Sequence, residues 1–82
     1  MPYFVYILRC VDNTLYAGVT NDLRRRLAMH QQGTGAKYTR AHPPLEYVYT
    51  KKCRNRSSAQ KREALIKKLT REDKQSLIAA NR

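Results

Sequence analysis

The stretch from Leu15 to His30, LYAGVTNDLRRRLAMH, constrains the fold more than any other. It opens as a strand (Leu15–Val19), turns at Asn21-Asp22 and continues as an amphipathic helix. In that helix Leu23, Arg26, Leu27 and His30 fall at the 3-4-7 spacing of one face. Arg24 and Arg25 project roughly 100° and 200° around the axis from Leu23, toward solvent. Of the three consecutive arginines only Arg26 lies on the apolar side. An arginine and a histidine four residues apart, on the face that meets a sheet, require a chemical reason.

The flanking segments supply that sheet. Tyr3–Cys10 is almost wholly apolar and β-branched or aromatic, which predicts a strand buried on both faces. Val11-Asp12-Asn13-Thr14 has turn chemistry, and Leu15–Thr20 returns as the second strand of a hairpin. Gly18 inside that strand marks a bulge or a close backbone approach. A three-residue connection, Asp12-Asn13-Thr14, sets Tyr6 opposite Thr20 and puts Tyr6 and Tyr16 on one face; a two-residue turn, Asp12-Asn13, puts them on opposite faces. The sequence leaves both registers open. Asn21 or Asp22 caps the first helix, which ends near Gln32 with Gly33 as its stop signal.

Gly33–Pro44, GTGAKYTRAHPP, reads as a loop. Its Lys37, Tyr38, Arg40 and His42 suit a phosphate backbone with a base stacked on the tyrosine. A solvated loop with Tyr38 folded onto the core fits the residues equally well. Leu45–Cys53 predicts a third strand, with Leu45, Tyr47 and Tyr49 on one side and Val48 on the other. After a basic turn, Arg54–Arg56, Ser57 or Ser58 caps a second helix, Ala59–Leu69, with the stripe Ala59, Leu65, Ile66, Leu69. Arg62 falls inside this stripe, so the helix is only partly covered or Arg62 reaches out along its stem. Glu63 stands at the border, where its ordinary use is an i,i+4 pair with Lys67. Thr70 with Asp73 resembles a capping box and opens a third helix, Arg71 to about Ala80, burying Leu77 and Ile78. The order is β-β-α-β-α-α: an α+β fold with a small three-stranded sheet and three helices, in a single domain, 1–82.

Eighty-two residues bury only about 60% of their unfolded surface, so one modest core is available. Lys and Arg number 17 against 6 acids, a net charge of +11. That excess predicts a polyanionic partner, nucleic acid first and an anionic membrane surface second, although a merely basic protein has the same charge. No apolar run approaches the length of a membrane span, and MPYFVYILRC lacks the basic region and cleavage site of a signal peptide. A cytoplasmic location is expected. Cys10 and Cys53 are too few for a zinc site or a disulfide framework and read as buried thiols in a reducing compartment.

The chain has no Gly-rich phosphate loop with Lys-Ser/Thr, no His-Glu pair at zinc spacing, no close carboxylate pair and no histidine at a supportive distance from either cysteine. What remains is Tyr6 and Tyr16 on adjacent strands, Arg26 and His30 on one helix face, and Glu63 on another helix. Phosphodiester hydrolysis needs a cation for the pentacovalent oxyanion, a group to take the proton of the attacking water, and often a metal held by a carboxylate. Each need has a candidate here, although either tyrosine taken singly is read more simply as core packing with its hydroxyl at the edge.

Val5-Tyr6-Ile7, followed by Tyr16-Ala17-Gly18, resembles the paired tripeptides of the GIY-YIG nuclease superfamily, with Val in place of the first Gly and Ala in place of the second Ile. The family's helix arginine falls on Arg26, its His or Tyr one turn later on His30, and its metal-binding glutamate on Glu63 of REALIKKL. The small single-domain bacterial members are the most similar, since GAKYTR (Gly35–Arg40) and a terminal helix like REDKQSLI also occur in them. The resemblance implies a three-stranded antiparallel sheet flanked by helices and a divalent metal, Mg2+ or Mn2+, on Glu63. It implies that Arg26 stabilises the scissile phosphate. It also implies that Tyr6 or Tyr16, aided by His30, deprotonates water or binds phosphate, and that a DNA strand is cut to 5′-phosphate and 3′-hydroxyl ends. Many relatives have Lys or Ser directly after the second Gly; Val19 stands there here. Without that lysine, a tyrosine near pKa 10 yields little tyrosinate at neutral pH, and His30 becomes the expected proton acceptor.

The expected function is therefore a metal-dependent DNA endonuclease, structure-directed or acting on single strands at branched, flapped or damaged sites. Arg24, Arg25, Lys37, Tyr38 and Arg40 are the expected nucleic-acid contacts; RNA suits the same charges. No small-molecule cofactor and no membrane partner are expected, and the protein is read as a monomer or weak dimer. The competing reading is a catalytically inactive nucleic-acid-binding module, for RNA or ribosomes, that keeps the fold. A third is an adaptor bound through the Leu77-Ile78 region.

Overall fold

The computed structural model describes residues 2–35 and 37–81; Met1, Ala36 of the GAKYTR segment and Arg82 lie outside them. The elements are β1 (Tyr3–Cys10), β2 (Leu15–Thr20), α1 (Leu23–Gln31), α2 (Lys37–Ala41), β3 (Pro44–Cys53), α3 (Arg56–Lys67) and α4 (Arg71–Ala80). The sheet is antiparallel throughout, in the order β2-β1-β3. β1 is thus the middle strand, and Val5, Tyr6, Ile7 and Leu8 are all fully buried, as its unbroken apolar run requires.

The strand splits its residues between two faces. Val5 and Ile7 join Ala17, Tyr49 and Ile66 in the main core, extended by Leu15, Val19, Val48, Leu77 and Ile78 under α3 and α4. Each such side chain contributes about 1.5–3 kcal/mol on full burial. Tyr6 turns the other way, toward α1, where Tyr47 meets its ring edge-on at 5.2 Å and donates its own hydroxyl to the Leu23 carbonyl at 2.6 Å.

The hairpin connection is Val11-Asp12-Asn13, neither of the two turns that the sequence left open, and one residue earlier than Asp12-Asn13-Thr14. Asn13 takes the left-handed conformation (φ 65°), which Asn tolerates, and Cys10 N–H closes the turn on the Thr14 carbonyl at 2.9 Å. The Asp12 carboxylate accepts from the Thr14 hydroxyl at 2.6 Å and so holds the turn in place. Tyr6 consequently stands opposite Gly18 rather than Thr20, but parity is kept and Tyr6 and Tyr16 share a face.

Other expectations are corrected. The segment read as a loop contains α2, whose Thr39 is buried against α1. Asn55, not Ser57 or Ser58, caps the following helix by accepting from the Ser58 N–H at 2.9 Å, so α3 begins at Arg56. Leu65 is 65% exposed and leaves the expected stripe, because Ala59 and Ile66 face the sheet and Leu65 points about 100° away from Ile66. A register shift between Ile7 and Leu8 makes Val48 an extra residue in β3. Tyr47 and Tyr49 therefore lie on opposite faces instead of sharing one. Asp22 and Thr70 cap α1 and α4 as expected. Cys10 is buried, whereas Cys53 is only half-buried at the sheet end. Among the described residues, no helix is long and apolar enough to cross a membrane.

Candidate active site

Gly18 is required by volume, since a Cβ there would fall 2.6 Å from Cζ of Tyr6. The phenol of Tyr6 lies across the bare backbone of β2 and aims its hydroxyl at α1. There it meets His30 Nε2 at 2.9 Å and, at a longer 3.4 Å, the Nε of Arg26. These are the two polar residues that the helix pattern put on the sheet-facing side.

His30 is only 1% exposed, with its Nδ1 2.7 Å from the Thr39 hydroxyl of α2. Gly35 keeps the chain close to the imidazole, for a Cβ at that position would come within 2.9 Å of Cε1. Burial first, and then the neighbouring Arg26 charge, push the His30 pKa down to about 4, so the ring is neutral at pH 7. In the tautomer that leaves Nε2 unprotonated, the Tyr6 hydroxyl donates to Nε2 and the Nδ1 hydrogen goes to the Thr39 hydroxyl. Burial raises the Tyr6 pKa, against the opposing hydrogen bond and charge of Arg26. That same hydrogen bond raises the pKa of Arg26, a cation at any working pH. Burial likewise raises Tyr47.

A cleft of about 340 Å³ straddles the edge strand β2, with Tyr6, Tyr16 and Arg26 on the α1 side and Arg56, Gln60 and Glu63 on the α3 side. Glu63 is the one carboxylate among the described residues lining it. The expected i,i+4 pair with Lys67 also forms, at 3.3 Å, and Lys67 Nζ stands 5.8 Å from the ring centre of Tyr16. Four of the five expected chemical residues thus line one cleft. The fifth, His30, is enclosed behind it and reaches it through the Tyr6 hydroxyl.

The expected nucleic-acid contacts are more scattered. Arg24, Arg25, Lys37 and Arg40 are all exposed, and of these Arg25 lines a smaller depression of about 170 Å³ that shares Arg26 with the cleft. Tyr38 is 36% exposed, but its ring stacks on Tyr16 at 5.5 Å and on His42 at 4.2 Å. A base stacking there would compete with those two rings. His42 is in turn hydrogen-bonded to Asp12 at the hairpin tip.

Sequence reasoning missed Thr39, Arg56 and Gln60, and read Lys67 only as the helix partner of Glu63. The α3 residues carried a signal, because Arg56, Gln60, Glu63 and Lys67 recur at i, i+4, i+7 and i+11 and form one ridge of α3. Thr39 had none, since its importance depends on where α2 docks.

A family model for the GIY-YIG catalytic domain matches residues 2–76. The chain is similar to the UPF0213 protein of Oceanobacillus iheyensis, 53% identical over 76 residues that cover 93% of this chain and 88% of that one. It is also similar to the UPF0213 protein of Natronomonas pharaonis, 47% identical over 77 residues, 94% and 91% of the two chains. Two solution NMR structures are similar in fold. One is of a UPF0213 protein from Bacillus halodurans, with a TM-score of 0.63 and 39% identity over 98% of this chain and 85% of that chain. The other is of a protein from E. faecalis, with a TM-score of 0.66 and 41% identity at the same coverage.

Proposed function

This chain belongs to the GIY-YIG catalytic domain family, a nuclease family, and from that premise we propose that it is a metal-dependent endonuclease cutting DNA at single-stranded or branched sites. The observation that carries the reading is the convergence of Tyr6, Tyr16, Arg26 and Glu63 on one cleft from three separate elements. We further read residues 1–82 as one catalytic domain, working in the cytoplasm as a monomer or weak dimer.

The residues fit a hard divalent cation of modest protein ligation. Among the described residues no group of three or more His, Cys, Asp or Glu could hold a metal. Glu63 would be the protein ligand, and Mg2+ or Mn2+ commonly completes its shell with water and substrate phosphate oxygens. Such an ion supplies Lewis acidity toward the phosphoryl oxygen and acidifies bound water. The other roles fall to the chain. Arg26, a permanent cation held by its contact with Tyr6, faces the oxyanion that develops on the phosphate. The Tyr6 hydroxyl takes a proton from the attacking water as its own passes to Nε2 of His30, which holds it only transiently because burial and the Arg26 charge disfavour the imidazolium. Water oxygen then bonds to phosphorus, the bond to the 3′-oxygen breaks and that oxygen takes a proton from solvent, while His30 gives its proton back through the Tyr6 hydroxyl to solvent. This leaves 5′-phosphate and 3′-hydroxyl ends. Tyr16, half-buried in the cleft wall, binds the phosphate.

Nicking of branched and single-stranded DNA with Mg2+ or Mn2+ tests the proposal. Glu63→Gln and Arg26→Ala should each lose on the order of a hundredfold or more in rate. Activity surviving both substitutions would assign the cutting to another site. Binding without cleavage of any substrate would favour the inactive module.

A further inference from the structure

We infer that a single-stranded arm of the nucleic-acid substrate leaves the cleft along edge strand β2 and is held at the hairpin end by Arg71 and Lys74 of α4. The inference rests on the nucleic-acid reading above and extends it to a second contact region. β2 has a neighbour on one side only. The cleft straddles it at Gly18, Val19 and Thr20. A separate groove of about 230 Å³ straddles the same strand at its other end, lined by Thr14, Leu15, Tyr38, Arg71 and Lys74. Gly18 and Thr14 are about 13 Å apart along an extended strand, a span of a few nucleotides.

The wall between the two depressions is continuous. Tyr16 lines the cleft, Tyr38 stacks on Tyr16 and lines the groove, and Lys67 lies over the Tyr16 ring. Arg56, Lys67, Arg71 and Lys74 therefore follow β2 in chain order from the cleft to the groove, with Glu63 on the α3 part of the row and Glu72 and Asp73 exposed in the first turn of α4. Arg71 is also held in place, because it donates to the Asn13 carbonyl at 2.6 Å. One row of cations along one edge suits one phosphate backbone. The rings beside it are already stacked on one another, so it reads no base.

Fluorescence anisotropy in EDTA, with no cleavage, reads the groove directly. The probes are a blunt duplex and the same duplex with a short oligothymidylate arm, and the variants are Arg71→Gln, Lys74→Gln and both together. Each lost contact with a single strand lowers the salt slope by about 0.7, which at 0.1 M salt is about fivefold in affinity. The double variant should bind the armed duplex about 25-fold more weakly and the blunt duplex nearly as wild type does. Lys52→Gln, the same charge change at an exposed position of β3, should leave both unchanged. Equal losses on the two probes, no loss, or the same loss in Lys52→Gln would overturn the groove. Binding of this pattern in a protein that cuts nothing would sink the nuclease reading and leave the groove standing. Cleavage by a double variant that binds as wild type would do the reverse, and no binding to either probe would end both.

Discussion

Acid tests the burial of His30 directly. In the unfolded chain its imidazole takes up a proton near pH 6.5; in the folded protein, burial and the Arg26 charge delay that to about pH 4. Between those values the unfolded state binds a proton that the native state refuses, so native stability falls as pH drops through the window and is fully present above it. At 1.36 kcal/mol per tenfold, the whole gap is worth about 3 kcal/mol. That is a large share of the 5–15 kcal/mol typical of a small domain. Asp12 does not blur the window. Its hydrogen bonds from Thr14, and then from His42, hold its pKa down to about 2, so the stability it adds is lost only between about pH 4 and pH 2. Urea unfolding at pH 7, 6, 5 and 4, compared with His30→Gln, measures the effect. Wild type should lose about 3 kcal/mol over the range, while the variant, less stable at pH 7, should show a much flatter profile. An NMR titration should find the His30 ring neutral throughout the window. A His30 midpoint near 6.5 in the folded protein, or parallel pH profiles for the two proteins, would refute the argument.

Gly18→Ala places a methyl group 2.6 Å from Cζ of Tyr6. The overlap should cost about 1–3 kcal/mol, partly offset by the stiffer unfolded chain. Each net kcal/mol should lower Tm by about 4–8 °C. Pairing it with Tyr6→Leu should relieve the overlap, and a strictly additive cycle would show that the ring does not rest on this glycine. Arg24→Ala and Lys37→Ala should each weaken duplex binding with a salt slope shallower by about one, and an unchanged slope would remove either residue from the nucleic-acid path.

Local chemistry made most of the architecture readable. The apolar run of Tyr3–Cys10 can only be a covered strand, and it is the middle one. Asp22 and Thr70 cap the helices that follow them because their side chains satisfy N–H groups close in sequence. Arg26 and His30 stood out because helix periodicity turned polar groups toward a sheet. The failures have a common character. Whether Tyr6 faces Gly18 or Thr20 depends on one left-handed residue, Asn13. The docking of Thr39 on His30 depends on a short helix whose composition reads as loop. Leu65 misled because apolarity alone does not say which side of α3 meets the sheet; Ala59 and Ile66 decide that through contacts with distant strands. The cleft was legible as a list of residues, but not the fact that His30 would be sealed behind Tyr6.

The extra residue in β3 has a consequence for how this small sheet divides its labour. With Val48 out of step, one strand spends a tyrosine on each side: Tyr47 braces the Tyr6 phenol, and Tyr49 fills the hydrophobic interior. Deleting that single position would force the strand to choose, either turning the brace away from the Tyr6 ring or pulling an aromatic out of the interior. The reading frame of β3 is thus a joint setting for the cleft wall and for cohesion, and neither could drift by a residue without the other.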